Sequence, residues 1–130
     1  GLGGEKKIIK INVRGSSSST FNLDSNNVHT EEIIIESINE FIKENKIDFI
    51  HIMKINIEGG EYSLIESLIN TNYIQNINII LVQFHDFVPN AKIMRKNIQR
   101  DLLATHNKIY DYPFIWEKWV LKEKTFGKSL

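Results

Sequence analysis

The chain has 130 residues, 42% of them hydrophobic and 25% charged, a length that fits one domain and a composition ordinary for a soluble globular fold. Sixteen basic residues balance sixteen acidic ones, so no electrostatic footprint points to nucleic acid or to an anionic membrane surface. There is no cysteine, which excludes disulfides and thiolate chemistry and is compatible with a reducing, cytoplasmic setting. No apolar run approaches the ~20 residues that span a bilayer, and no signal-peptide pattern is visible. Isoleucine, asparagine and lysine are over-used, as in the products of an A/T-rich genome. The chain begins at Gly1, not at a methionine, which admits a processed protein, an expression product or a piece of something longer.

From the N-terminus, residues 7–14 alternate Ile9, Ile11 and Val13 with Lys10, Asn12 and Arg14, the period of a strand with one wet face. "GSSSST" (residues 15–20) reads as a hairpin loop, and "EEIIIE" (31–36) as a β-branched strand. In "SINEFIKENK", Ser37 and Glu40 have capping-box spacing, and Ile38, Phe41 and Ile42 share a helical face, so a short helix is expected over 38–44. "IDFIHIMKINI" (47–57) shows little alternation, as a strand covered on both faces does, with its core at 50–57. A helix over about 61–69 buries Leu64, Ile65, Leu68 and Ile69. "INIILVQF" (77–84) is a second buried strand. Pro89 and Asn90 open a helix over 91–105 with Ile93, Ile98, Leu102 and Leu103 inward. "NKIYDYPFIWEKWVLK" (107–122) places aromatic and β-branched residues around an Asp-Tyr-Pro turn, hence two strands.

This order predicts an α/β fold with a mainly parallel sheet, helices on both faces and an antiparallel strand at one edge. In such sheets ligands bind beyond the carboxyl ends of the strands. Two ends carry chemistry: "KINIEGGE" and "VQFHD". If the two strands are neighbours, Asn56, Glu58 and His85 face one crevice, with Gln83 on the same side as His85. Bland readings stand beside this one. Glu58 and Glu61 suit the dipole at a helix N-terminus, Gly59 and Gly60 a tight turn, and a strand-end histidine is often a hydrogen-bonded structural group. Trp116 and Trp119 read as packing residues. His29, His51 and His106 lack metal-ligand spacing, so no metal site is expected. "GLGGEK" at the start lacks the preceding strand a phosphate loop needs.

"MKINIEGGEYSLIESLI" resembles the signature of the FkbM-type methyltransferase family, Lys-Ile-Asp-hydrophobic-Glu-Gly-Ala/Gly-Glu. Lys54, Ile55, Ile57, Glu58, Gly59, Gly60 and Glu61 match, and Asn56 departs from the usual aspartate. "LVQFHDF" is similar to the family's strand ending in Phe-His, "YPFIWEKWVL" to its closing Phe-x-Trp-Glu-x-Trp segment, and "GSSSST" to its serine-containing hairpin. The resemblance covers nearly all of the chain. It implies a Rossmann-like class I methyltransferase fold in which "FIHIMKINI" and "INIILVQFH" are the fourth and fifth strands and the tail supplies the last two. It also implies S-adenosylmethionine as cofactor and O-methylation of a sugar or natural-product hydroxyl. The family's Asp-x-Gly-Ala-x-x-Gly loop and its ribose-binding acid are not in this sequence. The expectation is therefore a single partial domain over residues 1–130, the C-terminal portion, that binds the cofactor poorly by itself.

Under that resemblance His85 is the candidate base for the acceptor proton, histidine as a residue type titrating near ~6.5. Glu58 is a second base candidate, Asn56 lines the junction with the cofactor, and Glu61 and Asp86 meet the acceptor, a small molecule or glycan. Methyl transfer from an activated sulfonium asks the protein mainly for alignment and for help with the proton, typically ~10²–10⁴-fold. A non-catalytic α/β remnant serving as a binding or interaction module is the alternative. A half-domain leaves the strand at 50–57 with an open flank that wants covering. A metal-dependent hydrolase using Glu58, Glu61, His85 and Asp86 has no supporting ligand spacing.

Overall fold

The computed structural model describes residues 1–12 and 30–123; the serine-rich stretch 15–20 and His29 lie outside the described residues. In chain order the elements are β1 (Leu2–Gly3), β2 (Lys7–Asn12), β3 (Thr30–Ser37), α1 (Ile38–Glu44), β4 (Ile50–Ile55), α2 (Glu61–Asn70), a 3-10 turn (Tyr73–Asn76), β5 (Ile77–Val82), α3 (Ala91–Leu102), β6 (His106–Tyr112) and β7 (Trp116–Leu121). Strands and helices follow in the expected order, with β1 and the 3-10 turn in addition. Ser37 caps α1 as its spacing predicts, its hydroxyl accepting the Glu40 N–H at 3.5 Å.

The strands form two mixed sheets, β1–β3–β2 and β4–β5–β7–β6. β4 and β5 are parallel neighbours, as are β1 and β3. The β2–β3, β5–β7 and β6–β7 pairs are antiparallel. Two expectations are thereby corrected. The sheets are mixed and not mainly parallel, and the reversed strand is not at an edge, because β7 sits between β5 and β6. The tight connection 113–115 explains this: Ile115 N–H donates to Tyr112 C=O at 2.9 Å and Phe114 adopts φ 58°, which forces β6 and β7 to run oppositely. β7 then docks on β5 because it carries Trp119, wholly buried opposite Ile80.

The core joins Ile55, Ile80, Val82 and Trp119 of the larger sheet to Ile65 and Leu68 of α2 and to Ile98 and Leu102 of α3. Register sets Ile55 opposite Val82 and Ile80 opposite Trp119, so these residues share one face. Each fully buried aliphatic side chain contributes roughly 1.5–3 kcal/mol. α1 joins the same helical layer, its Asn39 amide donating to the Ser67 hydroxyl of α2 at 2.6 Å. The described helices thus gather over one face, and among the described residues no helix covers the other. The other face keeps Ile52 60% exposed.

On α3 the buried positions are Ala91, Arg95, Ile98 and Leu102, spaced i, i+4, i+7 and i+11 as one helical face requires. Ile98 and Leu102 are inward as expected; Ile93 and Leu103 are exposed, because at about 100° per residue Ile93 lies nearly opposite that stripe and Leu103 about a quarter-turn beyond it. The N-terminal glycines serve packing. A Cβ on Gly4 would lie 2.3 Å from the Ser63 carbonyl oxygen of α2, and the Ser67 hydroxyl donates to Gly4 C=O at 3.0 Å.

Candidate active site

β4 and β5 end side by side. Ile55 pairs with Val82, and the Gln83 N–H continues the ladder to Ile55 C=O at 3.0 Å. Both strands stop earlier than the sequence predicts, so Asn56 and Ile57 follow β4, and Gln83, Phe84 and His85 follow β5, as loops. The chain leaving β4 reverses through Glu58 at φ 53° and Gly59 at φ 98°. Glycine takes that region freely, whereas a glutamate there costs on the order of 1 kcal/mol and is held by its surroundings. α2 begins immediately after this turn.

The first two residues of α2 hold His85 in place. Glu61 is fully buried. Its Oε1 accepts the His85 backbone N–H at 2.8 Å and lies 3.0 Å from the ring Nδ1. Its Oε2 accepts the Gly59 N–H at 2.9 Å. Next to it, the Tyr62 hydroxyl donates to His85 C=O at 2.8 Å, and the Tyr62 ring packs on Phe84 with centroids 5.1 Å apart. Burial, with the adjacent Glu61 charge, pushes the Tyr62 hydroxyl pKa up to about 12, so it is a proton donor throughout the neutral range.

This network decides which ring nitrogen is available. A carboxylate can only accept, so Nδ1 carries the ring proton toward Glu61 and Nε2 keeps its lone pair. Nε2 lies 3.9 Å from Glu58 Oε1, beyond a direct hydrogen bond. The His85 side chain is 13% exposed and that of Glu58 55% exposed. The arrangement is an oriented imidazole with one nitrogen free to accept a proton and an exposed carboxylate beside it.

Three predicted site residues, Glu58, Glu61 and His85, therefore come together. Glu61 does so in a different way from the expectation: with both oxygens engaged and no exposed surface it has none with which to touch an acceptor. Asn56 and Asp86 are exposed and form no hydrogen bond among the described residues. Among those residues no group of three His, Asp or Glu side chains converges as metal ligands do. A groove of about 460 Å³ runs beside the turn, lined by Leu2, Lys7, Ile9, Ile35, Ile57 and Glu58 among others.

A second polar cluster escaped the sequence. Arg95 of α3 pairs with Glu117 of β7 at 2.6 Å through Nε and with Asp111 of β6 through its terminal nitrogen. The Gln99 amide donates to Glu117 at 3.0 Å and to Asp111 at 3.1 Å. The Trp119 indole N–H donates to Glu117 Oε2 at 2.9 Å. Burial pushes the Glu117 carboxyl up, against the pull of Arg95 and Trp119. Burial also works on Asp111, but Lys108 and Arg95 hold it below the usual carboxylate range. These groups fasten α3 to the β6–β7 hairpin. The signal was Arg95 itself, which stands in register with Ala91, Ile98 and Leu102, and a charge in a buried stripe calls for a partner.

The sequence matches the family model described as Methyltransferase FkbM domain over residues 4–118. It is also 31% identical over 131 aligned positions to the lacticin 481/lactococcin biosynthesis protein LcnDR2 of Lactococcus lactis subsp. lactis. That alignment takes in 84% of this chain and 14% of the relative, so the chain spans about a seventh of the relative's length. No solved structure matches significantly.

Proposed function

The chain belongs to the FkbM methyltransferase family, and on that premise we propose that it is part of an S-adenosylmethionine-dependent O-methyltransferase acting on a hydroxyl of a small molecule or glycan. The observation that carries this reading is the 3.0 Å contact between Glu61 and Nδ1 of His85, which leaves Nε2 as a base. A hydroxyl is a weak nucleophile, and a positioned base contributes typically ~10²–10⁴-fold. His85 Nε2 takes the acceptor proton. Glu61 orients the ring and offsets the imidazolium that forms, and Tyr62 fixes the His85 backbone. Glu58, exposed beside Nε2, orients the acceptor hydroxyl or receives the proton in turn. Asp86, exposed next to His85, borders the acceptor.

S-adenosylmethionine supplies an activated methyl group when bound. The described residues fit it poorly: Asn56 keeps an acceptor oxygen where the family has a carboxylate, but it is exposed, and the groove beside Glu58 is mostly apolar in its lining. The cofactor's anchoring is therefore left outside this proposal, as is any step through it. A Rossmann-like class I fold and a cytoplasmic location belong to the same reading. The adjacency of β4 and β5 and the reversed strand from the tail support the fold. A relative named for lacticin 481/lactococcin biosynthesis supports an acceptor of natural-product type. Asn56 favours the second reading, an α/β module that binds without catalysis.

The test uses the complete protein with methyl-labelled S-adenosylmethionine and a panel of sugars and hydroxylated natural products. Label reaches at least one acceptor hydroxyl, and His85→Ala lowers kcat at least tenfold with an unchanged circular dichroism spectrum. Wild-type turnover in His85→Ala removes the base assignment. Absence of both cofactor binding and transfer favours the non-catalytic module.

A further inference from the structure

One face of the β2–β3 pair carries a charge pattern that complements itself. Register sets Ile8 opposite Ile34 and Lys10 opposite Glu32. Lys10 pairs with Glu32 at 3.7 Å, and at the other end Lys6 pairs with Glu36 at 3.2 Å. Side chains alternate along a strand, so β2 presents Lys6, Ile8 and Lys10 as one column. β3 presents Glu36, Ile34 and Glu32 as the column beside it. Ile8 is 69% exposed, more than any other large hydrophobic among the described residues, and Ile34 is 54% exposed. The alternate residues Ile9, Ile33 and Ile35 are half-buried. The hairpin is therefore apolar at the centre of both faces, and the face with Ile8 and Ile34 stands open.

We propose that this face joins two copies of the chain about a two-fold axis parallel to the strands. A two-fold contact needs a patch that complements itself, and this one does so in a single orientation. The axis along the strands lays β2 of one copy over β3 of the other. Lys6 then faces Glu36 of the partner subunit, Lys10 faces Glu32 of the partner subunit, and Ile8 meets Ile34 of the partner subunit. An axis across the strands lays β2 over β2, lysine over lysine, which charge complementarity disfavours. Pairing edge to edge through β2 also sets lysine-bearing strands together. Packed sheets stand about 10 Å apart with strands within about 30°, a gap that lysine and glutamate side chains bridge from both sides. Two strands of this length cover roughly 20 by 10 Å, far below the ~800 Å² per partner of a standard interface. The contact is therefore weak, reversible and sensitive to salt.

Sedimentation velocity of the complete protein reads the monomer–dimer equilibrium, which weakens as salt is added. K6E/K10E sets acids over acids and raises the dimer dissociation constant by about tenfold or more. K6E/K10E/E32K/E36K exchanges the two columns and keeps both ion pairs within each chain, so it folds as the wild type does. Energy transfer between labelled chains then separates the two populations. The exchanged variant associates with itself as tightly as the wild type does and forms no mixed dimer with it. A wild-type protein that stays monomeric up to about millimolar concentration overturns the proposal and leaves the face to another partner. A dimer that K6E/K10E leaves as tight as before overturns it, as do mixed dimers formed freely between the exchanged variant and the wild type.

Discussion

Replacing Glu61 by glutamine separates two roles that the sequence leaves open. As a helix-dipole residue, Glu61 contributes about 0.3–1 kcal/mol. In the structure its oxygens accept from the His85 N–H, His85 Nδ1 and the Gly59 N–H. Glutamine keeps one acceptor oxygen and sets an amide NH₂ where the other stood. If the oxygen stays with His85, the amide confronts the Gly59 N–H donor to donor. One charge-assisted bond is lost, a donor is left unpaired, and the two remaining bonds become neutral. A bond to a charged group is worth about 1.5–3 kcal/mol and an unsatisfied donor about 1–3 kcal/mol. Part of both is recovered by relaxation, so Glu61→Gln destabilises by about 2–4 kcal/mol. With an m-value near ~2 kcal/mol/M, the urea midpoint falls by about 1–2 M, and amide exchange at Gly59 and His85 accelerates. A loss below about 1 kcal/mol returns Glu61 to the dipole role and refutes the clamp.

Other expectations follow from the same geometry. Arg95→Met strands the buried Glu117 and costs about 3–5 kcal/mol in urea unfolding; R95M/E117Q recovers part of that, and a loss under about 1 kcal/mol shows the cluster to be inert. His106 is buried, its Nε2–H donating to Ile77 C=O at 2.8 Å, and burial lowers its pKa below 6.5. The unfolded chain therefore binds the extra proton first, and the contribution of neutral His106 is present above pH 6.5 and lost as pH falls below it. The slope is at most about 1.4 kcal/mol per pH unit, and His106→Asn flattens it. Parallel pH profiles for wild type and variant contradict this.

Much of the fold was legible because hydrophobic period is a local property. α1 falls where its cap and stripe indicate, and β4, α2 and β5 have their predicted order. What failed depends on partners. Apolarity on both faces of β5 says what the strand tolerates, not which element lies over it. The place of β7 depends on which hairpin strand carries the large buried side chain, Trp119. Ile93 read as core by composition, yet the stripe of α3 runs through Arg95, and a charged residue is invisible to an apolar pattern. At the site, the meeting of Glu58 with His85 was legible from two adjoining strand ends. The burial of Glu61 was not, because an acid in the first turn of a helix is satisfied by the dipole alone, and only the His85 backbone coming to meet it makes it a clamp.

Isotope-edited nitrogen NMR of the His85 ring, at mildly alkaline pH, tests the Glu61–His85 pair directly. The geometry predicts a protonated Nδ1, held by Glu61, with Nε2 unprotonated, and loss of that tautomer preference in Glu61→Ala, which removes the acceptor that glutamine would keep. A wild-type ring protonated at Nε2, or one exchanging freely between tautomers, contradicts the oriented base and the mechanism built on it.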